Sequence, residues 1–308
     1  MLVGSITVAG RGAKRKLTFE TLPAADNSDI RPGIRIPVGP AEWVAGAKTF
    51  KTLTPAATRA FVRRGGVLVL CKGKGTATKR AQQIAELFPE KRLSAEAEAT
   101  CAYLEAEVGR PTPLVECLKR GVVYHHAGMS QEARWLLECL IKNRDVDVVC
   151  GTTTLAQGVN FPISTVVVET LKKGPEALTY QDFWNIAGRA GRALMDVVGV
   201  VAFPTPTARV RRNCEQFLQG EAHEIVSQIV SIIDHAEEIS ERFDVRVLYN
   251  WPALSPFLQF LAHAVKIAGG KDVVEDVEDL LRASLVYHQA RKISADAAQR
   301  LIALCRAY

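Results

Sequence analysis

Val146-Asp147-Val148-Val149-Cys150-Gly151-Thr152-Thr153-Thr154-Leu155-Ala156-Gln157-Gly158-Val159-Asn160-Phe161-Pro162 is the stretch on which the reading of this chain turns. Its first five residues are nearly all apolar and short enough for a strand buried on both faces. The next segment sets three threonines between Gly151 and Gly158. Hydroxyls and backbone amides at a strand-to-helix turn can donate to phosphate oxygens, and glycine lets another backbone come close. An ordinary capped turn accounts for the same residues equally well.

The pattern repeats on either side. Val67-Leu68-Val69-Leu70 is another continuous apolar run, and Val122-Val123-Tyr124, Val166-Val167-Val168 and Val197 to Phe203 read as further strands. Between them lie helical spacings: Ala77, Ala81, Ile84, Ala85 and Phe88 in residues 76–88, then residues 94–107 and 130–141. Ser130 is placed to cap the last of these, and Arg134 and Glu138 stand as an i,i+4 pair. Strands alternating with helices predict an α/β fold with a parallel sheet covered on both faces.

After Pro204 and Pro206 the strand signal fades, and five segments with helical spacing follow, at 209–218, 222–233, 255–267, 274–288 and 294–306. Residues 1–65 contain two short strand-like runs, Ile6 to Val8 and Lys16 to Thr21, then prolines and glycines that break regular structure. The expected division is a connecting segment or the tail of a truncated domain over 1–65, an α/β domain over 66–205 and a mostly helical domain over 206–308.

Composition sets outer bounds. With 308 residues, 48% hydrophobic and 23% charged, the chain has material for about two globular domains. No apolar run approaches the roughly 20 residues of a membrane span, and the N-terminus lacks a signal-peptide pattern, so a cytoplasmic, non-membrane protein is expected. Seven cysteines, an odd number and none spaced CxxC, argue against a zinc ribbon or a disulfide framework. The net charge of +6 is modest, but Arg11 to Lys16, Arg63-Arg64, Lys72 to Arg80 and Arg209 to Arg212 are clusters suited to phosphate. No second His/Cys cluster accompanies His125-His126, so no metal ligands are assigned; one of this pair is expected to hold the glycine turn that follows. Trp135, Trp184 and Trp251 are read as core or interface residues.

In an open parallel sheet, ligands bind beyond the carboxyl ends of the strands. Lys72-Gly73-Lys74, His125-His126-Ala127-Gly128-Met129 and the threonine loop all follow strands. Gly188-Arg189-Ala190-Gly191-Arg192 ends a helical stretch beginning near Tyr180. Two arginines three apart suit a phosphoryl group, although a basic helix end meeting its own dipole would look the same.

Taken in order, four segments resemble the C-terminal motor domain of superfamily two helicases, nearest the superkiller-like DExH branch. VLVLCKGKGTATKRAQQIA is similar to the fourth motif, YHHAGM to the segment ahead of the fifth, GTTTLAQGVNFP to the fifth and NIAGRAGR to the sixth. Asn185 stands where this branch usually carries glutamine, keeping the amide but shortening its reach. Beyond residue 204 only GEAHEIVSQI resembles the family, where a winged-helix and helical extension would lie.

The resemblance implies a RecA-like second motor domain that works with ATP and Mg2+. It implies Arg189 and Arg192 at the γ-phosphate, and Gly158, Asn160, Asn185 and Gly188 near the nucleotide. Lys72, Gly73, Lys74, Gly128, Thr152 and Thr154 would grip the backbone of single-stranded or partly duplex nucleic acid, DNA slightly ahead of RNA. The sequence contains no GxxxxGK[ST], DExH or DEAD, so the first RecA-like domain is expected to act in cis or in trans, and this chain alone is expected not to hydrolyse ATP. A non-hydrolysing RecA-like binding module for nucleic acid or protein, and one subunit of a split helicase, remain alternatives.

Overall fold

The structure is a computed structural model that describes residues 2–11, 14–23, 31–44, 46, 48–152, 161–188, 190 and 198–219, together with residues 291, 299, 300, 302 and 303. The chain divides into two compact units, 1–219 and 220–308. Four of the five helical segments expected after residue 204 fall in the second unit, outside the described residues but for residues 299, 300, 302 and 303. The first unit is described here.

Ten strands and six helices occur among its described residues: β1 (Leu2–Ala9), β2 (Lys16–Thr21), β3 (Arg35–Pro40), α1 (Phe50–Phe61), β4 (Gly66–Leu70), α2 (Lys74–Ala85), α3 (Ala95–Val108), α4 (Pro113–Leu118), β5 (Val122–His125), α5 (Gln131–Lys142), β6 (Val148–Gly151), β7 (Ile163–Val168), the short pair β8 (Lys172–Lys173) and β9 (Glu176–Ala177), α6 (Tyr180–Ala187) and β10 (Val200–Pro204). Residues 208–219 add a further helical stretch. Eight strands form one sheet in the order β3-β2-β1-β10-β7-β4-β6-β5. From β1 to β5 along that order every neighbour is parallel, while β2 and β3 are antiparallel additions at one side. The α/β architecture expected from the alternating pattern, RecA-like as the resemblance implies, is therefore present, as a mixed sheet.

The central strands read as continuous apolar runs because both faces are covered. All six residues of β7 are buried. Along β4, Leu68 and Leu70 join one core cluster with α3, α5 and α6, whereas Val67 and Val69 join the other with α1 and α2. Each such fully buried aliphatic side chain contributes roughly 1.5–3 kcal/mol relative to exposure. Gly65, which leads into β4, has φ +135, and a Cβ there would lie 2.0 Å from Ser164 Oγ. Only glycine fits this crossing.

Serines cap two helices, Ser130 as expected. Ser94 accepts from Ala97 N at 3.1 Å to start α3, and Ser130 accepts from Ala133 N at 3.1 Å to start α5. The expected Arg134–Glu138 pair is replaced: Glu138 faces His125 at 3.0 Å, and Arg134 Nε donates to its own helix at Ser130 O.

Two boundaries differ from the sequence reading. Residues 1–65 supply β1, β2 and β3 to the sheet and α1 to one of its faces, rather than a connecting tail. The strand-like runs are where they were expected, but β10, the parallel partner of the first, is nearly 200 residues away, with Leu2 opposite Val200 and Ile6 opposite Pro204. The helix at 208–219 belongs to this same unit. Its Phe217 meets Tyr180 and Phe183 at centroid distances of 4.8 and 5.4 Å, and Cys214 and Leu218 enter the core.

Arg211 on that helix reaches back to β2. It holds Glu20 at 2.7 Å and Glu215 at 2.8 Å, and Arg35 approaches the other Glu20 oxygen at 2.9 Å. Arg211 above all, with Arg35, lowers the Glu20 carboxyl below its ordinary 4.5 despite burial. A depressed carboxylate contributes stability that is fully present above the unfolded value and is lost as pH falls through the folded one. Glu20→Gln is therefore expected to destabilise by about 1–3 kcal/mol at pH 7. In urea melts the gap from wild type should close as pH drops below the carboxylate range. A constant gap across pH would place the effect in packing instead.

Candidate functional site

The register sets the site. Leu70 of β4 and His125 of β5 both pair with Gly151 of β6, so three adjacent strands end at one level of the sheet. The segments that follow, carrying Lys72-Gly73-Lys74, Thr152 and His126 to Gly128, therefore emerge side by side. Backbone bonds lock the strand ends together, with Cys71 N donating to Gly151 O at 2.8 Å.

The Lys72–Lys74 turn is open. Lys72, Lys74 and Gly75 are exposed and Gly73 is partly so, and a Cβ at Gly73 or Gly75 would meet nothing within 4 Å. Gly73 is the N-cap of α2 and brings no side-chain cap, so the first amides of the helix are presented with the positive end of its dipole. Gly128 is beside it: a Cβ there would lie 3.2 Å from Lys74 Cδ and 3.3 Å from His126 Nδ1. Substitution at Gly128 would push the lysine aside.

His126 fastens the two segments. Its Nδ1 accepts from Gly128 N at 3.2 Å, which leaves Nε2 as the protonated nitrogen, donating to Thr78 Oγ1 at 3.2 Å. Thr78 Oγ1 in turn donates to Lys74 O at 3.2 Å. The ring stacks on Tyr124 at a centroid distance of 5.5 Å. Burial, with Lys74 nearby, lowers the basicity of His126 and keeps it neutral, as this pattern requires. His125 has a different task. It is buried, it contacts Glu138, and burial is the largest influence lowering its pKa. The histidine expected to hold the glycine turn is thus His126, and Thr78 is a partner that spacing alone did not disclose.

A buried ion pair lies behind this edge. Arg80 of α2 and Glu169, the residue after β7, are 8% and 6% exposed. Arg80 Nε donates to Glu169 Oε2 at 3.0 Å, and Nη2 to the second carboxylate oxygen. Neither residue stood out in the sequence, because Arg80 reads as one member of a basic cluster.

Lys72, Gly73, Lys74, Gly128 and Thr152 are thus placed along one edge. Asn185 and Gly188 are exposed at the end of α6. Gly188 N donates to Trp184 O at 2.8 Å, so Asn185 carries the polar group of the two that is open to a ligand. Thr154, Gly158, Asn160, Arg189 and Arg192 lie outside the described residues. Among the described residues, no group of three or more His, Cys, Asp or Glu is arranged to hold a metal, and no helix is long and apolar enough to cross a membrane. Trp184 packs against the core, whereas Trp135 is 63% exposed on α5 rather than buried in it.

The helicase conserved C-terminal domain family matches residues 63–194. The chain is similar to the Hachiman protein HamB of Bacillus cereus, 25% identical over 79% of this chain and 25% of HamB. It is similar to the ATP-dependent DNA helicase Hel308 of Pyrococcus horikoshii, 27% identical over 74% of this chain and 32% of that protein. Helicase POLQ-like of Caenorhabditis elegans is 31% identical over 45% of this chain and 16% of its own length. The chain spans no more than about a third of these relatives. Residues 63–194 thus match the helicase conserved C-terminal domain family within a RecA-like sheet, and the chain is similar to part of ATP-dependent DNA helicases.

Proposed function

We propose that this chain is the C-terminal motor half of an ATP-dependent helicase of the superkiller-like branch, and that it holds one nucleic-acid strand, DNA ahead of RNA, by its phosphates. The observation that carries the proposal is the level ending of β4, β6 and β5, which sets Lys72, Lys74, Gly128 and Thr152 on one edge. Two lysines, open helix amides and a hydroxyl are donors suited to phosphate oxygens. No described aromatic side chain lies exposed among them, so contact through the backbone and weak sequence preference follow. The match over 63–194 and the names of the relatives support the same reading.

ATP with Mg2+ supplies the energy of the cycle when bound. In this proposal Arg189 and Arg192 would meet its phosphates and Gly158 and Asn160 would contribute to holding the nucleotide, with the Asn185 amide at the end of α6 offering a donor and an acceptor. The Mg2+ carboxylates and the phosphate loop come from another RecA-like domain, in cis or in trans. The cytoplasm is the proposed setting, consistent with the six cysteines among the described residues being free thiols, five of them buried.

Binding tests the reading directly. Fluorescence anisotropy of a labelled single-stranded oligonucleotide should give log affinity that falls linearly with log salt. Lys72→Ala with Lys74→Ala should flatten that slope by about 1.4, at about 0.7 for each lost single-strand phosphate contact. Thr152→Val should weaken binding with the slope kept, since a neutral donor releases no counterion. A slope untouched by both lysine substitutions would move the strand elsewhere.

Hydrolysis provides a separate check. Phosphate release by this chain alone should match buffer. Joined to a phosphate-loop domain, Arg192→Ala should lower turnover by about 10³–10⁵ while ATP still binds. Near wild-type turnover in that variant would remove the arginine from the phosphoryl step.

A further inference from the structure

Glu169 touches both stems of the Lys72–Gly73–Lys74 turn. On the strand side, its backbone N donates to Leu70 O at 3.1 Å, and Cys71 Sγ lies 3.8 Å from its Oε2. On the helix side, Arg80 grips both oxygens of its carboxylate from the second turn of α2 and donates Nη1 to Gln83 on the same helix. The turn is therefore anchored just before it begins and six residues after it ends, on one carboxylate that belongs to the end of a different strand.

We propose that Glu169 and Arg80 are positioning residues for the lysine turn, setting where Lys72 and Lys74 meet the nucleic-acid backbone. This rests on the phosphate-gripping reading above. The physical ground is that a buried ion pair is a poor device for stability alone. Desolvating two charges offsets most of their attraction, and well-packed apolar residues of similar volume commonly serve as well or better. What a two-point guanidinium–carboxylate fork adds is direction, because it fixes rotation as well as distance. Here the fork joins α2, whose first residue is Lys74, to the end of β7, so it holds the angle and advance of the helix that carries the turn. An apolar pair would keep α2 on the sheet but leave it free to slide.

The test uses two backgrounds: the wild-type chain, and the variant Arg80→Leu with Glu169→Leu, which removes both charges and leaves neither buried alone. That variant is expected to fold, with a thermal midpoint equal to or above wild type. Glu169→Gln, which keeps the shape and weakens the fork, is a milder second variant. Each is measured by anisotropy with labelled oligothymidine over a salt series, with and without Lys72→Ala and Lys74→Ala. In wild type the lysine substitutions should cost about tenfold in affinity and flatten the salt slope. In the Leu/Leu variant the affinity should already be reduced, and the same substitutions should cost less than about twofold, because the misplaced lysines no longer contribute. Glu169→Gln should fall between. A full lysine effect persisting in the stable Leu/Leu variant overturns the positioning role and leaves the grip intact. Lysine substitutions without effect in wild type overturn the grip itself, and this role with it.

Discussion

Parallel strands all finish at the same edge, and that constraint decides where chemistry can sit in this molecule. Six neighbouring strands, from β1 to β5 in sheet order, run in one direction. Backbone hydrogen bonding therefore commits their carboxyl ends to a common level, and whatever follows a strand is delivered there. The pairing of both Leu70 and His125 with Gly151 is the local form of the rule. It brings segments about 55 and 80 residues apart in sequence within reach of one another without any side-chain design. The side chains then refine the arrangement. His126 ties the Gly128 turn to α2, and the fork between Arg80 and Glu169 ties α2 to the end of β7.

The difference between what the sequence disclosed and what it did not follows the range of the interaction. Apolar runs at Val67 to Leu70 and Val166 to Val168 are strands because every residue in them is buried, and that is a local property of composition. Ser130 was legible as the cap of the helix it precedes because the acceptor and the amide are three residues apart. By contrast, Ile6 to Val8 looked like a strand without a sheet. Its place is set by β10, and nothing local distinguishes a strand of this domain from the tail of another. The helix α1 carried its own signal, Leu53, Ala56, Ala57 and Phe61 at helical spacing, with Pro55 inside the pattern obscuring it.

The candidate site divides in the same way. The glycines, lysines and threonines on the strand-end loops were legible as types suited to phosphate. Which histidine holds the turn was not, since His125 and His126 are neighbours with opposite directions along a strand. The pleat sends His125 inward to Glu138 and leaves His126 beside Thr78 and Gly128. Neutrality is required of His126 because its Nδ1 is an acceptor, and partial burial next to Lys74 enforces it.

Two buried carboxylates show how differently one chemistry can be used. Glu20 is held by Arg211 and Arg35, the latter largely exposed, so water screens part of the interaction. It joins β2 to the helix at 208–219 and fixes the last described segment of the first unit onto its sheet. Glu169 and Arg80 are both almost wholly buried, and neither can exchange its partner for water. The sequence separations, 191 residues for Glu20–Arg211 and 89 for Arg80–Glu169, exclude any pattern-based forecast of either pair. An exposed-sided pair such as Glu20–Arg211 tolerates small shifts, since solvent fills the gap. A dry two-point fork tolerates few, because each displaced hydrogen bond leaves a charge without compensation. The rigid device stands directly behind the loops that need a set geometry, and the forgiving one ties down a helix whose task is attachment.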